Sequence, residues 1–216
     1  MITVVLTNYK RLLNLRHIHR RLQQQSVPPK LFLWDNNPSH VSGRLAWDVH
    51  AKSRENLFCT PRWHLAKMAL TPYVVVMDDD LMPVDREVIG DSARFLETHP
   101  DVAAIGMTGV VLKPERTYAR CKHIVRGNCP RVDLDVDIIK GRFMAFRTEH
   151  LARFAPASTD CEDMEASAFL SNFGRLVIPA SFPRRFQNLP VGLHSLAARA
   201  EHHDRREEAR RRLFRV

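Results

Sequence analysis

The sequence predicts an α/β domain, and three observations lead there. An apolar run, Tyr73-Val-Val-Val-Met77, lies between Pro72 and Pro83 and is broken off by Asp78, Asp79 and Asp80. A stretch that is apolar, rich in β-branched residues and without alternation is the pattern of a central strand covered on both faces. The first 39 residues read as strand, helix, strand and loop, with polar residues at both strand ends, which is a βαβ unit. At 216 residues the chain is long for one domain and short for two, so one α/β domain with a C-terminal extension is expected.

In order along the chain, Ile2-Thr-Val-Val-Leu-Thr7 is a first strand closed by the turn Asn8-Tyr-Lys-Arg11. Leu12, Leu13, Leu15, Ile18 and Leu22 recur near helical spacing until Ser26-Val-Pro-Pro29 stops them. Lys30-Leu-Phe-Leu-Trp34 is a second strand, and Asp35-Asn-Asn-Pro-Ser39 is dense in turn formers. Residues 40–60 carry weak signals and are expected to cross the sheet edge. Pro61 to Leu70 reads as a helix with proline in its first turn, leading into the central strand. A further helix is expected from Pro83 to Glu97, ended by His99-Pro-Asp101, then a strand from Val102 to Thr108. From Val110 to Asp137 no period is sustained. There Asp133-Leu-Asp-Val-Asp137 alternates acid and apolar, so a strand would present three carboxylates on one face. Ile138 to Phe146 is expected as one strand, with Gly141 where a ligand or backbone can approach closely. A helix from Asp160 to Asn172 begins with acids, which its dipole favours, and Leu176 to Pro179 is a last short strand. The division expected is a catalytic domain over residues 1–190 and a basic, His/Arg-rich helical tail over 191–216.

Composition narrows the function class. A net charge of +9 and a pI near 9.9 favour polyanionic partners such as nucleic acid, an anionic membrane face or acidic glycans. Nothing approaches eighteen consecutive apolar residues and the N-terminus lacks a signal-peptide pattern, so a cytoplasmic protein without a transmembrane segment is expected. Cys59, Cys121, Cys129 and Cys161 are spaced for neither a zinc knuckle nor a disulfide framework, and read as free thiols.

The chemistry is expected at the strand ends. In an open α/β sheet, ligands bind at the C-terminal edge of the strands, where three successive carboxylates are costly unless a cation neutralises them. A hard divalent ion carrying phosphates is the economical neutraliser, since Mg²⁺ or Mn²⁺ takes one or two carboxylates plus phosphate oxygens.

The order Thr7-Asn8-Tyr9-Lys10-Arg11, Asp35-Asn36-Asn37, Arg62-Trp63 and Asp78-Asp79-Asp80 resembles a GT-A-fold nucleotide-sugar glycosyltransferase with a DxD-type motif. Cys161-Glu162-Asp163-Met164 followed by Ala168-Phe169-Leu170 is similar to the exostosin-like branch, and the resemblance covers most of residues 1–180. It implies a single Rossmann-like domain with a mixed central sheet. It also implies that Thr7, Asn8 and Arg11 line the nucleotide pocket, that Asp35 or Asn36 bonds the base, and that Arg62 approaches the nucleotide or diphosphate. Asp80 is implied as direct metal ligand, Asp78 as ribose or metal contact, and Asp163, with Glu162 its competitor, as the acid beside the anomeric carbon. In the tail, where the pattern is indistinct, His194, His202 or His203 is implied as a further metal ligand and Arg206 as a diphosphate contact.

The implied function is transfer of a hexosyl or N-acetylhexosaminyl group from a nucleotide-sugar, a UDP-sugar first, with Mn²⁺ or Mg²⁺. Two acceptors compete: DNA carrying hydroxymethylated bases, suggested by the basic charge and by Arg and Lys in residues 113–131, and a glycan or lipid-linked sugar at an anionic membrane face. The alternative from another class is a nucleotidyltransferase or nucleotide-binding protein using the same acids.

Overall fold

The structure is a computed structural model that describes residues 1–36, 42–191 and 201–214. Its centre is an eight-stranded mixed sheet. Three parallel strands at one side are β1 (Ile2–Tyr9), β2 (Lys30–Asn36) and β3 (Val49–Ser53), and β1 also pairs in parallel with β4 (Tyr73–Asp78). The short β5 (Leu81–Pro83) leaves the sheet. Beyond β4 lie β6 (Val102–Gly106), β7 (Gly109–Val111), β8 (Lys122–Ile124), β9 (Leu134–Asp135), β10 (Ile138–Ile139), β11 (Phe143–Arg147), β12 (Arg175–Ile178) and β13 (Phe186–Asn188). The order across the main sheet is β3-β2-β1-β4-β11-β6-β12-β9. β11 runs antiparallel to both β4 and β6, which makes the sheet mixed. A three-stranded sheet, β10-β7-β8, and the pair β13-β5 complete the strands.

The helices are α1 (Leu12–Gln23), α2 (Pro61–Lys67), α3 (Val88–Thr98), α4 (Glu162–Leu170) and α5 (His202–Phe214). One apolar layer packs the α1 and α3 stripes, Leu15, Ile18, Leu22, Val88, Ile89 and Leu96, against Val4, Leu6, Val75 and Met77. The other packs Trp63, Leu65, Ala66 and Leu170 against Val5, Val74, Val76 and Phe146. Alternate residues of β1 and β4 thus point into opposite layers, and burial on both faces is why these strands show no alternation in sequence. Trp63 is wholly buried, stacked on Phe146 at 5.9 Å.

Register is what places the site. Thr7 pairs with both Trp34 and Asp78, and Asn8 pairs with Asp35, so the polar ends of β1, β2 and β4 reach one edge together.

Several expectations are corrected. Residues 40–60 contain β3, a parallel edge strand whose half-buried residues give it little apolar signal. The helix expected from Pro83 starts at Val88; just ahead of it Asp85 Oδ1 accepts the amides of Glu87 and Val88 at 2.9 Å each, which holds residues 85–87 in a turn outside the helix. Pro83 belongs instead to β5, paired with Phe186 of the unforeseen β13. The strand expected over 138–146 is split by the link Lys140–Arg142. The three acids expected on one strand face serve separate ends: Asp133 accepts the Ala180 amide, Asp135 pairs with Arg175, and Asp137 accepts the Leu112 amide. All four cysteines are free thiols.

Candidate active site

At the C-terminal edge of β1, β2 and β4 opens a cleft of about 830 Å³, large enough for a nucleotide-sized ligand. Its walls come from the ends of β1 and β4, the start of α2, the Lys140–Arg142 link, the first turn of α4, and the start of α5.

The acidic triplet is not left bare. Asp78 Oδ1 receives Arg62 Nη1 at 2.7 Å. Asp79 is buried, accepting the Tyr9 amide at 2.9 Å and a contact from Arg11 Nη1. Asp80 stands between Arg142 at 3.0 Å and Arg11 at 3.2 Å. Burial holds the Asp79 carboxyl up at about 7 although Arg11 opposes it. Burial likewise raises Asp78, with Arg62 opposing and Asp80 adding to the rise. Three adjacent acids in a poorly solvated site repel one another, and three guanidinium groups offset that cost.

Arg62 sits at the centre. It is 1% exposed and binds Asp78, the Gly141 carbonyl at 2.9 Å and Glu162 Oε1 at 2.6 Å. Gly141 is required there, since a Cβ at that position would lie 2.2 Å from Arg62 Nη2 and 3.2 Å from Asp163 Cβ. The close approach expected at this glycine is therefore made by a guanidinium. The Gly141 amide donates to Asp163 Oδ2 at 3.0 Å, so a single residue ties both acids of α4 into the network.

Glu162 and Asp163 have opposite proton affinities. Burial raises Glu162 to about 7, opposed by Arg62 and reinforced by Asp163. Burial pushes Asp163 the same way, but Arg206 outweighs it and holds the carboxyl below its ordinary value. Arg206 grips Asp163 with two contacts of 3.0 Å and lies 5.0 Å over the Tyr118 ring.

The expected residues separate into two groups. Thr7, Arg11, Asn36, Arg62, Asp78, Asp80, Glu162, Asp163, His203 and Arg206 line the cleft. Asn8 and Asp35 stand behind its wall: Asp35 is wholly buried, accepting Asn8 Nδ2 at 2.8 Å and a contact from the Ser42 hydroxyl. Asn36 reaches the cleft but its amide is committed to Phe58, Ser53 and Leu57. Asp35 therefore fixes the β2 end. His194 lies outside the described residues. Arg142, Lys140, Tyr118 and His123 line the cleft without having been singled out; Arg142, directly after Gly141, carried the only local signal.

Among the described residues no three His, Cys, Asp or Glu side chains cluster to hold a metal. The donors fit a different kind of site. The Asp78 side chain is 26% exposed with one oxygen engaged by Arg62, and Asp80 lies two residues on. Two carboxylates facing a cleft suit an ion whose remaining ligands are phosphates and water.

The fold is shared with solved structures. The mannosyltransferase PcManGT from Pyrobaculum calidifontis, solved with GDP-Man and Mn²⁺, superposes with a TM-score of 0.61 at 19% identity, over 84% of this chain and 55% of that one. TarS residues 1–349 from S. aureus, solved with UDP-GlcNAc, superposes with a TM-score of 0.66 at 15% identity, over 92% and 61%. The fold is GT-A. This GT-A chain spans roughly three fifths of the length of those two proteins. Its sequence matches no protein-family model and no curated protein. No helix among the described residues is long and apolar enough to cross a membrane.

Proposed function

We propose that this GT-A domain transfers a sugar from a nucleotide-sugar donor to an acceptor hydroxyl. The observation that carries the reading is the convergence, in one cleft at the sheet edge, of Asp78, Asp80, Arg11 and Arg142 with the buried pair Glu162 and Asp163, Glu162 sharing Arg62 with Asp78. Both structural neighbours were solved with nucleotide-sugars, one with UDP-GlcNAc and one with GDP-Man and Mn²⁺, which supports the donor class.

The roles follow from charge. As the sugar leaves, negative charge builds on the diphosphate, and fixed cations there stabilise the transition state by several kcal/mol. Arg11 and Arg142 are half-buried at the cleft and supply that charge from Asp80's two sides. A Mg²⁺ or Mn²⁺ ion held by Asp78 and Asp80 would add Lewis-acid stabilisation of the same oxygens. Asp163 is assigned as the proton acceptor for the incoming hydroxyl; Arg206 and the Gly141 and Met164 amides hold it ionised and fill both its oxygens, so the hydroxyl must displace one of these contacts, and a positioned base contributes on the order of 10²–10⁴ in rate. Glu162, at about 7, is better suited to hold a proton under Arg62.

The test combines donor and pH. Labelled UDP- and GDP-sugars are incubated with Mn²⁺ and with wild type or Asp80→Asn; metal-dependent donor hydrolysis in wild type and its loss in Asp80→Asn is the expected result. Equal hydrolysis in both would remove Asp80 from the donor site. If Asp163 is the base, kcat/KM holds level down to about pH 5; an acidic limb near pH 7 would hand the role to Glu162.

A further inference from the structure

We infer that the cleft carries, beside the donor site, a subsite for a phosphate group of the acceptor, formed by Lys140, His123, Arg206 and the histidine pair at the start of α5. This rests on the glycosyltransfer reading for the word acceptor, but the site itself is read from the side chains.

Lys140 sits in the link between β10 and β11, anchored by its amide to the Thr108 carbonyl at 2.9 Å, and its ammonium lines the cleft. Among the described residues that ammonium has no carboxylate partner. The acid facing it from α4 is Asp163, whose two oxygens are already taken by Arg206 and by the amides of Gly141 and Met164. Asp160, also in the cleft wall, is paired with Arg205. From β8, His123 directs Nε2 to the Tyr118 carbonyl at 2.9 Å, which leaves Nδ1 as its free nitrogen. His202 and His203, with ring centroids 5.9 Å apart, close the same wall from α5.

Arg206 is paired with Asp163, so Lys140 is the cation of this cluster that lacks a counter-charge among the described residues. Burial, with Arg206 next, holds the Lys140 ammonium down to about 8. A largely buried ammonium without a counter-charge gains most from an anion that brings several acceptor oxygens, which neighbouring donors can share, and a phosphate does so.

The surroundings favour phosphate over an isolated carboxylate. On the segment that carries Tyr118 and His123, the exposed Lys113, Arg116, Arg120, Lys122 and Arg126 form no ion pair with any described acid. An acceptor bearing further phosphates would find cations along the wall that leads to Lys140.

The experiment is calorimetric titration of inorganic phosphate into the full chain at pH 7, with and without saturating UDP or GDP. Wild type is expected to bind one phosphate in the presence of nucleotide. Lys140→Met is expected to weaken it at least about tenfold, the size of one lost charged hydrogen bond. Lys140→Arg restores binding, and nucleotide affinity is the same in all three proteins. Displacement of phosphate by nucleotide would assign the cluster to the donor diphosphate and overturn the proposal. Equal phosphate affinity in wild type and Lys140→Met would leave an adventitious ion only, and would also overturn it. Failure of both nucleotides to bind would count against the donor reading alone, since the titration without nucleotide still reads the Lys140 dependence.

Discussion

Replacing Arg206 by methionine tests whether the last helix belongs to the site. Arg206 is 5% exposed and makes two 3.0 Å contacts to Asp163, which is 6% exposed. Removing one partner of a buried pair leaves an uncompensated charge, typically at a cost of 3–5 kcal/mol. Here Asp163 keeps the Gly141 and Met164 amides, so the lower end applies, about 3 kcal/mol. The cost should shrink when the charge is removed as well: Arg206→Met combined with Asp163→Asn is expected to show a coupling of about 2 kcal/mol in urea unfolding. The pH dependence has a definite sign. Arg206 depresses the folded-state Asp163 below its unfolded value near 4, so this stabilisation is present above about pH 4 and lost as pH falls through the depressed value. In Arg206→Met that acid-side loss should vanish. A coupling under about 0.5 kcal/mol, within ordinary additivity, would show that α5 contributes nothing to the ionisation of Asp163.

Other perturbations have equally specific outcomes. Gly141→Ala places a methyl 2.2 Å from Arg62 Nη2 and is expected to cost about 1–3 kcal/mol by overpacking, with donor binding lost together with stability in thermal shift. Glu162 has the opposite linkage to Asp163. With its folded value at about 7 and an unfolded value near 4.3, its contribution to stability falls as pH rises between the two, and Glu162→Gln should reduce that slope without abolishing it, since burial raises Asp79 and Asp78 as well. Asp35→Ala strands the Asn8 and Ser42 donors and is expected to cost about 1–3 kcal/mol while leaving the choice between UDP- and GDP-sugars unchanged; a switched donor preference would return Asp35 to the base pocket.

Much of this was legible because strand ends advertise themselves. Val4 to Leu6 and Val74 to Met77 are apolar on both faces, so where they stop and the acids begin locates a sheet edge without knowledge of the register. What sequence cannot show is which polar end residues face the cleft. Asp35 and Asn36 are adjacent, yet the former is consumed behind the wall by Asn8 and Ser42 and the latter reaches the cleft. The edge strand β3 was missed because a half-buried strand containing His50, Lys52 and Ser53 has no apolar run. The tail carries the largest surprise. In a helix where charged residues dominate, Arg206 stood out only through the family resemblance, as a diphosphate contact; a contact with an acid 43 residues earlier decides its burial, and no local pattern encodes such a distance.

The acidic triplet reads differently once its partners are known. Asp78, Asp79 and Asp80 meet Arg62, Arg11 and Arg142, so the strand end is close to neutral by itself. The three arginines are not equivalent. Arg62 is held by three acceptors and wholly enclosed, which makes it part of the frame. Arg142 is 29% exposed and Arg11 17%, and each touches Asp80 from the cleft side at 3.0 Å or more. A diphosphate entering there competes for both guanidinium groups. Asp80 loses both of its guanidinium partners in that exchange, while Asp79 loses Arg11 and keeps the Tyr9 amide. A divalent ion would then be needed most at Asp80 in the donor complex, and little without donor. In wild type, Mn²⁺ affinity should therefore rise at least about tenfold in the presence of nucleoside diphosphate, and by linkage nucleotide affinity should rise by the same factor in Mn²⁺. Equal Mn²⁺ affinity with and without the nucleotide would break this account of the triplet.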